Sequence, residues 1–277
     1  MPEPWQAAAD CGLGVTECPA VEWAAELESL SVAVELKFPV EVLLPPAQAV
    51  DVAWYRWITG HQTAFLGWRA LRTALARAAP TSEIAALLDL YSVLLLYTGS
   101  CSPSVYERLI RPRMMRWRPD FSGEWAPDHQ GIPRALKQAV EDHPQLRSTR
   151  RVNVQVHAAV AERLVPQGGS LLQDAGRHAG DEPSEEEFGS YDRFFDTERG
   201  PVCEHALRAQ FLHWLLKVVS DVESCGLYYD GAPLSAAVAE DKRESIAALE
   251  HDALALLRRR FLNVMREGPW AFPRMSS

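Results

Sequence analysis

The sequence lacks the short motifs that mark several common enzyme classes. It contains no HExxH, no Glu-x-x-His and no His-x-Asp/Glu pair, which argues against zinc hydrolases, di-iron bundles and non-heme iron oxygenases. It also has no GxGxxG, no Walker A loop and no GxSxG elbow. Nucleotide-binding folds and serine hydrolases therefore lose support.

Cysteine is sparse and unpaired in the sequence. Five cysteines are scattered along the 277 residues and form no CxxC pair, namely Cys11, Cys18, Cys101, Cys203 and Cys225. This pattern excludes the spacing of zinc ribbons and the CxxCH signature of covalently attached c-type heme. We expect the thiols to be reduced and mostly buried.

Positive charge is in deficit, with 28 Lys and Arg against 37 Asp and Glu, a net charge of -9 and a pI near 5.4. A general nucleic-acid binder needs a basic surface, so this class is disfavoured. The first residues carry Glu3 and Asp10 and no basic side chain, unlike a signal peptide, and no apolar run reaches transmembrane length. We predict a cytoplasmic protein without a nucleic-acid or membrane partner, and a homo-oligomer stays open.

Helical periodicity dominates the rest of the chain, and no long run of alternating apolar residues is present to seed a sheet. We predict an all-α fold that forms a single helical domain over residues 1–277. The predicted helices cover residues 21–36, 51–79, 81–98, 132–165 with a break near Pro144, 201–225 and 235–266. The predicted irregular segments are an N-terminal arm (1–20), a proline-broken stretch (37–48), a loop (101–106), an acidic loop or lid (167–200) and a loose tail (268–277).

One helix, over residues 51–79, carries an aromatic stripe around a histidine. The side chains Trp54, Trp57, His61, Phe65 and Trp68 recur at steps of three and four residues, which places them on one helix face. A histidine in such a stripe is often a hydrogen-bonded core residue. The alternative is a neutral imidazole at the mouth of an aromatic site, where it can act as a base.

A cluster of arginines follows this region in an otherwise acidic protein. Its members are Arg108, Arg111, Arg113, Arg116 and Arg118. Such a run is commonly a solvated basic face with ion pairs to acidic neighbours, and a nucleic-acid site is disfavoured by the overall charge. The third interpretation is an anion site, because the planar guanidinium suits a substrate carboxylate or heme propionates.

A second histidine, His213, lies among apolar and aromatic residues of the predicted helix 201–225, and His205 lies in its first turn. We interpret His129, His143 and His157 as surface or structural residues. A heme b site requires one imidazole ligand, an apolar slot, cations for the propionates and a distal group. The residues above satisfy that description, and they also fit a heme-free helical interaction module.

Three segments, in order, resemble the histidine-ligated heme-dependent aromatic oxygenases, whose best-known member is tryptophan 2,3-dioxygenase. The tetrad GHQT at residues 60–63, followed by Leu66 and Trp68, resembles the helix of the distal histidine. The segment SPSVY followed by Arg111 resembles the stretch that precedes the carboxylate-binding arginine, and FLHWLLKV resembles the axial-histidine helix. Within this superfamily, LLLYTGSCSPSVYERLIRPRM is most similar to the heme-dependent L-tyrosine hydroxylases of antibiotic pathways.

The resemblance implies a helical domain that encloses heme b and converts L-tyrosine to L-DOPA with hydrogen peroxide. It assigns His61 as the acid/base and His213 as the axial iron ligand, with His205 as the fallback. It implies a substrate pocket formed by Trp57, Phe65, Tyr106, Arg111 and Arg113.

The sequence departs from the dioxygenase pattern in two places. Arg111 follows Tyr106 by five residues instead of four, so Arg108 or Arg113 could bind the carboxylate instead. The segment ESCGLYYDG replaces a glycine- and threonine-rich loop, which disfavours a tryptophan substrate. The second enzyme hypothesis is a heme dioxygenase that acts on an indole amino acid.

Overall fold

The computed structural model describes residues 7–8, 48–166, 169–177, 182–199, 202–229 and 232–267. The α-helices are α1 (Ala49–Ala76), α2 (Thr81–Thr98), α3 (Pro103–Val105), α4 (Arg111–Trp117), α5 (Ile132–Asp142), α6 (Arg147–Leu164), α7 (Leu171–Asp174), α8 (Glu185–Phe194), α9 (Glu204–Cys225) and α10 (Glu240–Glu267). A π-helix, Tyr106–Ile110, joins α3 to α4. The predicted all-α fold class is confirmed.

Short elements complete the described part of the chain. Four 3-10 turns are present, at Gly123–Trp125, Pro127–His129, Pro144–Leu146 and Leu234–Ala236. Strands β1 (Ala7–Ala8) and β2 (Val202–Cys203) have two residues each and pair in parallel. The predictions for the N-terminal arm, the helix over 21–36, nearly all of the stretch 37–48 and the tail lie outside the described residues.

The chain comprises two compact units. The main unit contains Pro46–Thr197 and Cys225–Ala253, and the minor unit contains Met1–Pro45, Glu198–Ser224 and Leu254–Ser277. Each unit is described by itself below.

Helices α1 and α2 form the centre of the main unit. Helix α1 ends at Ala76, and Pro80 cannot continue it because proline lacks an N–H. The apolar helix α2 packs against both α1 and α6, as its sequence predicts. By length and hydropathy it could cross a membrane, but 56% of it is buried inside the protein, as is usual for a core helix.

Two glycines allow the helices of this core to approach closely. A Cβ atom on Gly60 would overlap the hydroxyl of Thr98 at the end of α2. A Cβ on Gly99, the C-cap of α2, would overlap the side chain of Val160 in α6. The glycine of the GHQT tetrad therefore has a packing role beside the histidine.

Helix α2 begins at Thr81, as predicted, and the Pro80 carbonyl accepts its first backbone hydrogen bonds. Two other predicted helix starts were wrong. Helix α9 begins at Glu204 and not at Pro201, since strand β2 precedes it. Helix α10 begins at Glu240 and not near Ser235, whose backbone N–H and hydroxyl are instead held by the Glu250 carboxylate.

The prediction of a continuous acidic loop over residues 167–200 was also wrong. Helices α7 and α8 lie in this segment, and each begins with a capping box. In α7 the side chains of Ser170 and Gln173 bind each other's backbone N–H groups, and Ser184 and Glu187 do so in α8. These reciprocal hydrogen bonds satisfy donors that would otherwise be orphaned at the helix start. The predicted loop over 101–106 likewise gives way to helix at Pro103.

A fully buried arginine, Arg56, ties α1 to the turn that follows residue 225. Its Nη1 donates to the Leu227 carbonyl at 2.6 Å and to the Ser100 hydroxyl at 3.1 Å, and its Nη2 donates to the Gly226 carbonyl at 2.8 Å. Hydrogen bonds from a charged donor are about twice as strong as neutral ones. Arg56 therefore stabilises the register of α1, the helix that carries His61.

Replacing Arg56 by Met should lower the free energy of unfolding by about 3 kcal/mol or more, because the buried carbonyls lose a charged donor. The guanidinium also lies over the rings of Tyr97 and Tyr229, at 5.1 and 4.9 Å from their centroids. Denaturant titration of the variant measures the loss. Arg72→Met, on a half-buried arginine of the same helix, is the control and should change stability by less than about 0.5 kcal/mol.

Candidate functional site

His61 is held in one tautomer by its own helix. Its Nδ1 lies 2.6 Å from the backbone carbonyl oxygen of Trp57, one turn earlier, so Nδ1 carries the proton and donates it. Burial lowers the pKa of His61 to about 4, although the Trp57 carbonyl acts in the opposite direction. The imidazole is therefore neutral near pH 7, and Nε2 keeps a lone pair.

Aromatic rings clamp this imidazole on several sides. The ring of Phe195 stacks on it at a centroid distance of 4.4 Å and an interplanar angle of 22°. The rings of Trp57 and Phe65 lie 4.6 and 6.3 Å away. Trp57 and Phe65 thus lie on the same helix face as His61, and their place in a substrate pocket stays a prediction. Phe195 was missed because it lay in the segment predicted to be a loop.

The other residues of the GHQT tetrad support this arrangement. The amide of Gln62 donates a hydrogen bond to the backbone carbonyl of Phe195. The hydroxyl of Thr63 donates to the Thr59 carbonyl within the helix at 2.7 Å. Gln62 therefore anchors the residue whose ring covers His61.

His61 lies in the wall of a cavity of about 840 Å³ within the main unit. Three aromatic residues, Trp68, Tyr91 and Tyr191, and the aliphatic residues Leu94, Leu95 and Leu172 also line it. The lining includes one arginine, Arg134, and the carboxylates Glu124 and Glu182. The cavity is within the size range of sites for small molecules and cofactors.

Two further histidines, His129 and His157, line the same cavity, and His157 is exposed, which agrees with its interpretation as a surface residue. Burial, with a contribution from His157, lowers the pKa of His129 to about 4, and burial also lowers the pKa of His157. The His129 ring lies 5.0 Å from that of Trp68. No periodic pattern in the sequence links these three imidazoles, because they lie on three separate elements.

The π-helix brings Tyr106 and Arg111 together. The backbone N–H of Arg111 bonds to the Tyr106 carbonyl five residues earlier, and the next residue, Pro112, has no N–H with which to continue an α-helical ladder. The wider turn carries Arg111 back over Tyr106, and the guanidinium acts against the effect of burial on the pKa of the Tyr106 hydroxyl. The π-helical turn thus accommodates the extra residue between Tyr106 and Arg111.

Tyr106 connects this pair to His61 through Trp57. The rings of Tyr106 and Trp57 lie 5.8 Å apart, and burial raises the pKa of Tyr106 to about 12. The four predicted residues His61, Trp57, Tyr106 and Arg111 therefore form one continuous set of contacts.

The remaining arginines of the cluster point elsewhere. Arg113 lies over the ring of Trp54 at 4.2 Å, and Arg108 donates to the carbonyl of Ser104 in its own helix. Of the predicted substrate-binding arginines, Arg111 alone contacts Tyr106 in the part of the chain that the structure describes.

The predicted iron ligand His213 belongs to helix α9 in the minor unit. Burial, together with Lys217, lowers the pKa of His213 to about 4, and its ring lies 5.3 Å from that of Trp214. The side chain of the fallback His205 lies outside the described residues. The iron-ligand role of either residue stays a prediction.

Comparison with protein-family models places the chain in a family. The model described as SfmD 3-methyl-L-tyrosine peroxygenase matches residues 6–150, slightly more than half of the chain. The chain belongs to this family. No curated protein matches the sequence. The family match includes His61, Tyr106 and Arg111 and ends before α9.

Membership in a peroxygenase family identifies the chain as an enzyme that takes an oxygen atom from a peroxide and acts on a small molecule. The residues of the main unit fit a heme in such an enzyme. They supply an imidazole with a free Nε2, an aromatic and aliphatic slot and the cation Arg134. Among the described residues there is no group of three or more His, Cys, Asp or Glu for a bare metal ion, whereas heme iron requires one protein ligand.

The buried neutral state of His61 predicts a loss of stability in acid. Its pKa is about 4 in the folded protein and 6.5 when unfolded, so the unfolded chain binds more protons between these values. Stability therefore falls as the pH drops from 6.5 towards 4, by up to about 1.4 kcal/mol per pH unit for each such histidine.

Between pH 6.5 and 4.5 we expect His61→Gln to reduce the slope of the unfolding free energy against pH. The reduction should be up to about 1.4 kcal/mol per pH unit, which corresponds to one proton bound by the unfolded chain. Urea titrations at several pH values measure this slope. A variant slope equal to that of the wild type contradicts the prediction, whatever the absolute stability of the variant.

Proposed function

We propose that this enzyme is a heme-dependent L-tyrosine 3-hydroxylase that uses hydrogen peroxide to form L-DOPA in natural-product biosynthesis. The observation that carries the proposal is the neutral His61, with its Nε2 lone pair available, in the wall of an aromatic cavity. Membership in a tyrosine-type peroxygenase family supports both the oxidant and the substrate class.

Heme b is the proposed cofactor, and when bound it supplies the chemistry that transfers an oxygen atom from peroxide to an aromatic ring. Residues of the cavity would surround the porphyrin, with Arg134 as a counter-ion for a propionate. The resemblance favours His213 as the iron ligand, with His205 as the fallback. His129 and His157 are further candidates because they share the cavity with His61.

His61 is the proposed acid and base. Its Nε2 accepts a proton from hydrogen peroxide and returns it to the departing oxygen, which leaves as water. The Trp57 carbonyl keeps Nδ1 protonated, so the accepting nitrogen is always Nε2. A positioned group of this kind contributes about 10²- to 10⁴-fold to a rate.

Arg111 is the proposed partner of the substrate carboxylate, as the resemblance to the heme-dependent aromatic oxygenases implies.

The first experiment combines hemin uptake with a product assay. The purified protein should develop an absorbance band near about 400 nm when titrated with hemin, as expected of a heme protein. With L-tyrosine and peroxide it should release L-DOPA. Activity towards tryptophan with ascorbate and air, and none towards tyrosine with peroxide, would support the indole dioxygenase instead. A protein that takes up no hemin would contradict both.

His61→Ala should bind hemin as the wild type does and lose peroxide-driven hydroxylation by about 10²- to 10⁴-fold, because the cofactor site stays intact while proton transfer is lost. Hemin titration and L-DOPA formation measure the two effects separately. His143→Ala is the matched control, since His143 is exposed, and it should retain both properties. Full activity of His61→Ala would remove His61 from the mechanism.

The iron ligand is identified by its effect on the hemin spectrum. His213→Ala should lose hemin or change its absorbance band. If it binds hemin normally, the same measurement on His205→Ala, His129→Ala and His157→Ala locates the ligand.

A further inference from the structure

The Arg111 guanidinium lies in an ion pair that is open to solvent on one side only. The side chain of Arg111 is 11% exposed, and its Nη2 lies 2.5 Å from Oδ2 of Asp174, a residue whose side chain is 54% exposed. A second carboxylate, that of Glu107, is 3.8 Å from Nε and more exposed still. The cation is thus largely buried, while its main anion lies at the surface.

Asp174 ends helix α7, the short element that also borders the cavity. Ser170 and Leu172 of the same segment line the cavity with His61. The capping box between Ser170 and Gln173 fixes the conformation of α7. Asp174 therefore has a defined position at one edge of the region occupied by the site.

The Arg111–Asp174 pair is also connected to His61, the proposed acid and base, through the side chains of Tyr106 and Trp57. Arg111 lies beside Tyr106 and acts on the pKa of its hydroxyl, the Tyr106 ring lies 5.8 Å from that of Trp57, and the Trp57 ring lies 4.6 Å from that of His61. Arg111 is thus linked to His61 by successive side-chain contacts through Tyr106 and Trp57.

We propose that Arg111 and Asp174 together recognise the two charges of an α-amino acid, with Arg111 binding the carboxylate and Asp174 binding the ammonium. This inference rests on the proposed function and adds the group that selects an amino acid over other phenols. The ligand replaces one ion pair with two. Arg111 keeps a carboxylate partner throughout, and the Asp174 side chain, which is 54% exposed, stays hydrated when the pair opens.

The test measures binding of three phenols by calorimetry. L-Tyrosine carries both charges, tyramine lacks the carboxylate, and 3-(4-hydroxyphenyl)propionate lacks the ammonium. Asp174→Asn should weaken L-tyrosine and tyramine by about tenfold to hundredfold, because a charge-assisted contact is lost. It should not weaken the propionate, which no longer has to displace the Asp174 charge from Arg111. Arg111→Gln should instead weaken L-tyrosine and the propionate and spare tyramine.

Glu107→Gln is the matched control, because it removes the weaker and more exposed carboxylate beside the same arginine. It should change each affinity by less than about twofold. The inference is overturned if Asp174→Asn affects all three ligands equally or none of them. It is also overturned if that variant binds L-tyrosine and the propionate more tightly, since Asp174 would then only compete for Arg111.

Failure of this inference is distinguishable from failure of the proposed function. Hydroxylation of L-tyrosine without the expected ligand discrimination in Asp174→Asn overturns the inference and leaves the function. The expected discrimination without hydroxylation supports the amino-acid site and overturns the function. A wild-type protein that does not bind L-tyrosine contradicts both.

Discussion

The hydrogen bond from His61 Nδ1 to the Trp57 carbonyl is the constraint on which the site depends. It fixes the tautomer, so that the free lone pair is always on Nε2. Burial keeps the ring neutral, and the stacked ring of Phe195 keeps water from one face. Gln62 donates a hydrogen bond to the Phe195 backbone carbonyl. Two adjacent residues of α1 therefore supply the proposed base and hold the ring that covers it.

The π-helix accommodates one added residue between Tyr106 and Arg111 and still keeps the two side chains close together. In an α-helix, residues four apart face each other, and a spacing of five would turn Arg111 away from Tyr106. Pro112 withholds the next backbone donor, the turn widens, and the two side chains meet. Sequence spacing alone left Arg108 and Arg113 as alternatives. The structure favours Arg111 because the local helix type, which spacing does not report, changes which residues are neighbours.

Long periodic segments were predictable, and the contacts between distant segments were not. Apolar spacing was enough to locate α1, α2, α5, α6 and α9 approximately, since each buries a continuous face. Helix α8 was missed although Ser184 and Glu187 form a capping box that is readable in the sequence; the acidic composition around it outweighed this signal. The position of His157 beside the same cavity as His61 was not predictable, because elements far apart in the chain form that cavity and no local pattern encodes it.

The arginine cluster carries less net positive charge than its own residues imply, because nearby carboxylates neutralise it. Arg118 pairs with Asp120 and Glu186, and Arg111 pairs with Asp174. A simple anion that approaches Arg111 must displace a carboxylate already bound there, and the displaced charge is left without a partner. A ligand with both charges offers that carboxylate a new cation. The acidic surroundings therefore shift the preference of this arginine from anions in general towards zwitterions.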